Sequence, residues 1–371
     1  MKILLIGEYS NVHWTLAEGL RSLGHTVCVV SNGDFWKDYK RDISLTRTTY
    51  SKGEGILYLL KTYALLPRLR RYDIVQLINP MFLELKAERL MPIYRYLKKH
   101  NKKIFLGAYG MDSFWVNAGT RQPYIFRYSD FNIADKKIDS SYINEQIADW
   151  KGTNKERLNN TIADSCNGII AGMYEYHTAY KNTHSEKLTY IPFPIFSEPD
   201  KATHLYDGKS RIKFFIGIQK TRSTYKGTDI MLRALNRIAT EYPDECEILK
   251  AENVPFEQYT KMINDCDILL DQLYGYSPGM NALLAMAKGK IVVGGAEEEC
   301  YEIIDEKHLR PMINVTPSEE DVYNKLKWII ENKQLIPSMQ QQSIEFIEKH
   351  HTPKRVAEKY LEFWKRQDSK Q

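Results

Sequence analysis

Two stretches of the chain combine charge, glycine and a strand-to-helix transition in a way suited to holding an anion. The first is Phe214-Phe215-Ile216-Gly217, an apolar run closed by glycine, followed by Lys220, Arg222 and Lys226-Gly227 ahead of a helical pattern. Three cations so close together at the carboxyl end of a strand fit a diphosphate, because arginine offers a planar fork of donors and lysine a movable point charge. A solvated charge cluster would carry the same residues. The second stretch is the apolar run Asp267 to Asp271, a turn-rich loop Gln272 to Tyr276, then Ser277-Pro278-Gly279-Met280-Asn281 leading into Ala282 to Ala287. A helix that begins at glycine and asparagine presents free backbone amides and the positive end of its dipole, so an anion belongs there. An ordinary strand-loop-helix connection is the alternative, although Pro278-Gly279 argues for close approach to the backbone.

Other side chains invite a chemical role and a structural one alike. His13 can act as a base or touch a sugar, or it can pack inside a first helix. Asp112 can contact a ligand or cap the helix that follows it. Trp36, Trp115 and Trp150 can stack on a sugar ring or fill a core. His350-His351 has no partner at metal-ligand spacing and reads as surface. No Asp-x-Asp pair that would hold a diphosphate through a metal is found, so neither a metal nor another cofactor is expected.

These residues need a scaffold, and the pattern of the chain supplies one. Lys2 to Gly7 is a continuous apolar run, Glu8 to Asn11 a polar loop, and Val12, Leu16, Leu20 and Leu23 follow at helical spacing until Gly24; Thr26 to Val30 is a second β-rich run. Strand, helix and strand in this order require a parallel sheet. The alternation continues through Ile74–Ile78 after a basic helix, a helix Met91–Asn101, Lys103–Leu106, Gly168–Ala171 and Thr189–Ile191. It breaks near Pro192–Pro194 and resumes with a strand at Ile212–Ile216. Thereafter the pattern predicts a helix Thr228–Tyr242, a strand Glu247–Lys250, a helix Phe256–Asp265, a strand Ile268–Leu270, a helix Asn281–Lys288 and a strand Lys290–Gly294. Helices near 322–332, 338–350 and 353–366 close the chain. The fold class is α/β with two Rossmann-like doubly wound domains: 1–196, a linker 197–211, 212–350, and a tail helix 351–371. In open α/β sheets ligands sit beyond the carboxyl ends of the strands, and two such domains facing across a cleft favour a site between them.

The 371 residues are 43% hydrophobic, 27% charged and 12% aromatic, which excludes disordered, fibrous and disulfide-stapled classes and suits about two domains. No run of about 18 apolar residues exists, so no membrane-crossing helix is expected. Met1–Ile6 reads as a first strand, too short for a signal peptide. Five scattered cysteines point to a reduced, cytoplasmic chain. The first 200 residues carry a net charge of +6 and the rest −1, with the excess in Tyr50–Lys103, where 12 basic residues face 4 acidic ones. That segment is either a solvated face or a surface attracted to anionic headgroups or an anionic acceptor. No nucleic-acid recognition motif accompanies it.

Over its whole length the chain resembles the GT-B glycosyltransferases of family 4. The resemblance rests on Leu23-Gly24-His25-Thr26-Val27, on Tyr72-Asp73-Ile74-Val75, and on Tyr109-Gly110-Met111-Asp112 where many relatives carry His-Gly-x-Asp. It continues through Gly217 with Lys226-Gly227, Val254-Pro255, Cys266-Asp267, Ala285-Met286-Ala287-Lys288-Gly289-Lys290, Gly294-Gly295 with Glu302, and a tail helix that in the family returns to the first domain. It implies a retaining, metal-independent transfer of a hexose-type sugar from a nucleotide-diphosphate donor to a saccharide or lipid-linked acceptor in surface polysaccharide synthesis, with possible contact at the inner membrane face. Lys226 and Arg222 or Lys220 would hold the diphosphate, helped by amides of Gly279 to Asn281, with Val254 and Pro255 near the base. Glu8, Tyr9, Ser10, Asn11, His13, Tyr109 and Asp112 would lie on the acceptor and sugar side. His13, Asp112, Arg222 and Lys226 are the catalytic candidates.

The chain departs from the family pattern where relatives carry two glutamates seven residues apart; here those positions are Tyr276 and Leu284. Ribose hydroxyls would then fall to residues such as Asp271, Gln272 or Asn281. The donor domain is abbreviated, with one strand between Tyr242 and Val254, and the glycine-rich first loop of relatives is replaced by Glu8-Tyr9-Ser10-Asn11. A non-catalytic GT-B protein that binds a sugar nucleotide or a partner, and a sugar-nucleotide epimerase, are the competing readings. A nicotinamide dehydrogenase lacks support, since no Gly-x-Gly-x-x-Gly follows the first strand.

Overall fold

A computed structural model of the chain describes residues 1–47, 49, 51–196, 205–219, 223–252 and 254–367. The chain forms two bodies. Met1–Ala118, Gln146–Pro194 and Thr352–Gln371 make up the first, Gly119–Glu145 and Ile195–His351 the second. Gly119–Glu145 thus packs with the second body although it lies inside the span 1–196 expected for the first domain. Of the expected linker 197–211, residues 197–204 lie outside the described residues. Tyr206, which follows them, is buried in the second core and donates its N–H to Gln340 Oε1 at 2.9 Å.

The first body is built on a seven-stranded parallel sheet. Its order, edge to edge, is Ile43–Ser44, Thr26–Ser31, Lys2–Ile6, Ile74–Leu77, Lys103–Ala108, Gly168–Ala171 and Leu188–Tyr190. The inner strands are covered on both faces, with Leu4, Leu5, Val75, Leu106 and Ile169 fully buried, which is why they read as unbroken apolar runs. Successive strands are added first on one side of Lys2–Ile6 and then, from Ile74 onward, on the other. A crevice for a ligand opens at such a reversal, beyond the carboxyl ends of the strands.

The final helix Pro353–Arg366 belongs to this first body. Val356, Ala357, Tyr360 and Trp364 are buried, the Phe363 ring meets Phe105 edge-on at 5.8 Å, and the Lys103 ammonium donates to the Trp364 carbonyl at 2.8 Å. It lies against the first helix, Val12–Ser22, where a Cβ added at Gly19 would come 2.1 Å from the Pro353 carbonyl oxygen.

The second body has a five-stranded parallel sheet in the order Cys246–Glu252, Ile212–Ile218, Ile268–Leu270, Ile291–Gly294 and Ile313–Asn314. Its reversal lies between Ile212–Ile218 and Ile268–Leu270. Pairing from Ile212↔Cys246 to Ile218↔Glu252 extends the edge strand beyond the expected 247–250. The segment Gly119–Glu145 contributes a short antiparallel pair, Asn132–Ile133 with Lys136–Lys137.

Two local expectations change. The helix expected from Met91 starts at Ala87 and carries Pro92 inside it. Pro92 cannot donate to the Glu88 carbonyl, but burial of Leu90, Ile93, Tyr94 and Leu97 keeps the turn helical. His350 and His351, expected at the surface, are buried: His350 Nε2 meets Glu306 Oε2 at 2.6 Å, and the His351 carbonyl accepts the Ile195 N–H at 2.7 Å. Glu306 is 44 positions from His350, so local spacing gave no sign of the pair.

The backbone contact at Gly19 leaves no room for a methyl group. Gly19→Ala is expected to destabilise the first body by about 2–3 kcal/mol, read as a lowered urea midpoint with the far-UV spectrum retained at low denaturant.

Candidate functional site

The reversal in the second sheet gathers residues from four segments. Strand Ile212–Ile218 carries Gly217, and a Cβ there would lie 3.2 Å from Tyr259 Cε2. Tyr259 sits on helix Phe256–Asp265, packs edge-on against Phe215 at 5.3 Å and donates its hydroxyl to Asn281 Oδ1 at 3.0 Å. Asn281 in turn directs Nδ2 toward Asp271 Oδ1 at 3.4 Å. Asp271 follows strand Ile268–Leu270, is 8% exposed, and lies near enough to Lys226 to feel its charge. Burial pushes the Asp271 carboxyl above its ordinary value, while Lys226 and Asn281 pull it down.

Backbone geometry fixes Lys226. Its carbonyl accepts the Leu273 N–H at 2.9 Å, and the next residue, Gly227, has φ +68° and starts helix Thr228–Glu241. A Cβ at Gly227 would come 2.6 Å from Leu273 Cβ, so both conformation and space call for glycine. The Lys226 ammonium makes no ion pair among the described residues. Helix Met280–Ala287 begins at Gly279 with no side chain capping it. A Cβ on Gly279 would stand 3.5 Å from Asp271 Oδ2, which brings Lys226, Asp271, Gly279 and Asn281 to one place. Uncapped amides and a half-buried lysine form a cradle for an anion, and the carboxylate and two amphoteric side chains beside it can bind hydroxyls.

Other expected donor residues are placed differently. Lys220 and Arg222 lie outside the described residues. Val254 is half-buried, and Pro255 is exposed at the start of the Tyr259 helix. Pro278 and Met280 are half-buried beside Gly279, and Ser277 is buried. Tyr276, expected among the donor contacts, is buried and turned toward Gly119–Glu145. Its hydroxyl accepts the Arg127 N–H at 2.8 Å, the Arg127 guanidinium lies 4.9 Å from its ring, and the Tyr128 ring is 5.1 Å away. Arg127 also reaches Glu297 at 3.0 Å and Glu299 at 2.5 Å, and the Tyr128 hydroxyl bonds Glu297. Tyr276 therefore anchors this segment. Tyr259 and Arg127 were missed in the sequence because their partners are far away; only the glycine at 217 hinted that something packs over that strand end.

In the first body, the reversal is closed by the chain itself. Glu8 is buried, and its two carboxylate oxygens accept the N–H groups of His13 at 3.1 Å and Trp14 at 2.9 Å, occupying the start of helix Val12–Ser22. Burial outweighs these donors and pushes the Glu8 carboxyl up to about 8. His13 is fully buried with Nδ1 2.8 Å from the Gly7 carbonyl, so Nδ1 carries the proton and Nε2 keeps a lone pair. Burial lowers the imidazole to about 3, and Nε2 has no partner among the described residues; Asn11 Oδ1 is likewise unpartnered. Ser10 and Asn11 both take left-handed backbone, and the Ser10 N–H bonds Asp34, which pairs with Lys37 at 2.7 Å. The Tyr9 ring is 3.6 Å from where a Gly110 Cβ would be.

Tyr109 and Asp112, expected on the acceptor side, face the interior instead. The Tyr109 hydroxyl bonds that of Tyr360 on the final helix. Asp112 is fully buried, accepting the Trp115 N–H at 2.8 Å and the Tyr180 hydroxyl at 2.7 Å, and burial raises it to about 6. It is a helix cap. Trp115 and Trp150 pack in the core and Trp36 is exposed. Among the described residues no group of three or more histidine, cysteine or acidic side chains could hold a metal ion.

No protein-family model and no curated protein matches the sequence. Solved structures do match. HepE from Anabaena, in complex with UDP and glucose, aligns with a TM-score of 0.58 and 12% identity over 97% of this chain and 98% of that one. Sucrose-phosphate synthase from Thermosynechococcus elongatus aligns over the whole of both chains at 0.62 and 12%. The chain has the GT-B fold. A protein of Listeria monocytogenes assigned as a UDP-N-acetylglucosamine 2-epimerase aligns at 0.56 and 10% over 97% of this chain and 94% of that one, so this GT-B architecture is compatible with more than one chemistry.

The raised Glu8 carboxyl has a pH signature. Folding holds it protonated, so its contribution to stability is present in full below its ordinary value of 4.5 and is lost as pH rises through about 8. Urea midpoints are expected to fall between pH 5 and 8, and Glu8→Gln to flatten that fall.

Proposed function

We propose that this chain is a glycosyltransferase that takes a nucleotide-diphosphate sugar on its second body and transfers the sugar, with retention, to a saccharide or lipid-linked acceptor of a surface polysaccharide. One observation carries the reading: at the reversal of the second sheet an uncapped helix start comes together with Lys226, which makes no ion pair among the described residues, whereas at the reversal of the first sheet the start of helix Val12–Ser22 is filled by Glu8. The anion site is therefore assigned to the second body. HepE, of the same fold, was solved with UDP.

In this proposal Lys226 and the amides at Gly279–Asn281 stand where negative charge grows on the departing diphosphate. Fixed donors there act more strongly on the transition state than on the bound donor. Lys220 and Arg222 are proposed to join them. Asp271, Asn281 and Tyr259 replace the carboxylates absent at Tyr276 and Leu284 as partners for ribose hydroxyls, with Val254 and Pro255 beside the base. Glu8–Asn11 is proposed to line the acceptor side, with the neutral, fully buried His13 supporting that loop through its bond to the Gly7 carbonyl. No metal is assigned a role. The setting is proposed to be the cytoplasm, since no disulfide joins the five cysteines among the described residues and no helix among them is long and apolar enough to cross a membrane.

A second reading, a GT-B protein that binds a sugar nucleotide without transferring its sugar, is favoured by one feature: Tyr276 occupies a family carboxylate position and serves as an anchor for Arg127.

Calorimetry with uridine, guanosine and adenosine diphosphates tests the donor site. One of them is expected to bind, and Lys226→Ala to weaken it at least tenfold, about 1.4 kcal/mol, with folding unchanged. No binding by any of them, or binding indifferent to Lys226, overturns the proposal. Product analysis with a panel of sugar nucleotides then separates transfer from epimerisation, which needs no acceptor, and from binding alone.

A further inference from the structure

Helix Lys52–Leu65 of the first body is apolar on both sides. Its inward side buries Tyr58, Thr62 and Leu65. Its outward side carries Ile56, Leu57, Leu60 and Tyr63, which are 61%, 49%, 61% and 43% exposed. These positions follow helical spacing and form one stripe. Four of the thirteen large apolar side chains exposed among the described residues fall in these eight positions. A surface helix ordinarily turns polar groups outward, as helix Ala87–His100 does with Glu88, Arg89, Arg95, Lys98 and Lys99. The stripe is an exception that calls for an occupant.

Charge narrows the choice of occupant. Lys52 and Lys61 on the helix, and Arg68, Arg70 and Arg71 just after it, are all exposed, and none forms an ion pair among the described residues. The one acid of the helix, Glu54, is drawn back onto the Thr49 N–H. A second copy of the chain docked through the same stripe would set these cations against their own kind. A surface both apolar and anionic would meet them.

The stripe also has a position with respect to the acceptor loops. On the helix's inner side the Tyr58 hydroxyl donates to Glu84 Oε2 at 2.6 Å and accepts the Glu84 N–H at 3.3 Å. Glu84 follows strand Ile74–Leu77, and its charge acts on Tyr9 in the loop Glu8–Asn11. One helix thus separates the exposed apolar side chains from the crevice of the first sheet.

We propose that Ile56, Leu57, Leu60 and Tyr63 enter the headgroup layer of an anionic lipid bilayer while Lys52, Lys61, Arg68, Arg70 and Arg71 bind its phosphates. A lipid-linked acceptor would then reach the crevice beside Tyr9 from the same surface; this last step rests on the transferase reading, the docking itself does not.

Flotation of the full chain with vesicles, without nucleotide or acceptor, tests the docking. Vesicles of phosphatidylcholine with about 30% phosphatidylglycerol are expected to bind it at least about tenfold more tightly than phosphatidylcholine alone. Leu57→Ala with Leu60→Ala should weaken that binding about tenfold or more, and Lys61→Gln with Arg68→Gln should do likewise. These exposed positions should leave the circular dichroism spectrum and diphosphate binding unchanged, so failure of docking and failure of the donor site are separate results. Equal binding to both vesicle types, binding to neither, or self-association that Leu60→Ala abolishes would overturn the proposal.

Discussion

A parallel sheet points the start of every following helix at one edge, and each start brings backbone N–H groups that the helix cannot satisfy. What satisfies them decides what that edge can do. At the reversal of the first sheet, Glu8 lays its own carboxyl group across the His13 and Trp14 amides. At the reversal of the second, the helix start at Gly279, which follows strand Ile268–Leu270, has no side-chain cap, and the nearby acid, Asp271, is engaged with Asn281. One crevice is thus filled by the chain's own carboxyl group, and the other is where an anion is proposed to bind.

The second crevice holds opposing charges at close range. Asp271 is buried where an anion is proposed to bind, which would be costly for a bare carboxylate. Lys226 offsets it, and Lys226 is held by its backbone rather than by its side chain: the Leu273 N–H takes its carbonyl and Gly227 lets the chain turn. Its Cα is fixed in this way while its ammonium makes no ion pair among the described residues. A lysine suits this better than an arginine, whose planar fork would commit to one partner.

Much of this was legible in the sequence because it is local. Covered parallel strands appear as apolar runs, so Ile268–Leu270 and helix Phe256–Asp265 could be read to the residue, and Lys226, Asp271 and Asn281 were singled out from the strand ends they follow. What was not legible depends on distant partners. Tyr276 reads as a donor contact at a family glutamate position until Arg127, 149 positions away, is placed over it. Glu8 sits five and six residues from the amides it binds, but burial, which a polar loop does not advertise, decides its protonation. Tyr109 and Asp112 match a family motif and yet are taken up by Tyr360 and Tyr180. Helix Lys52–Leu65 was legible by its charge, as a solvated face or one attracted to anionic headgroups, but not by its outer apolar stripe, since periodicity does not say which side is covered.

The polypeptide passes from one body to the other at 118/119, 145/146, 194/195 and 351/352. Neither body is therefore a contiguous stretch of sequence. A fragment cut at residue 196 would strand Arg127 and Tyr128 without Tyr276, Glu297 and Glu299, and would strip Phe105 of Phe363. Modular exchange of one half with a relative must consequently transplant the excursion at 119–145 and the closing helix along with the obvious half, or leave raw apolar seams on both products.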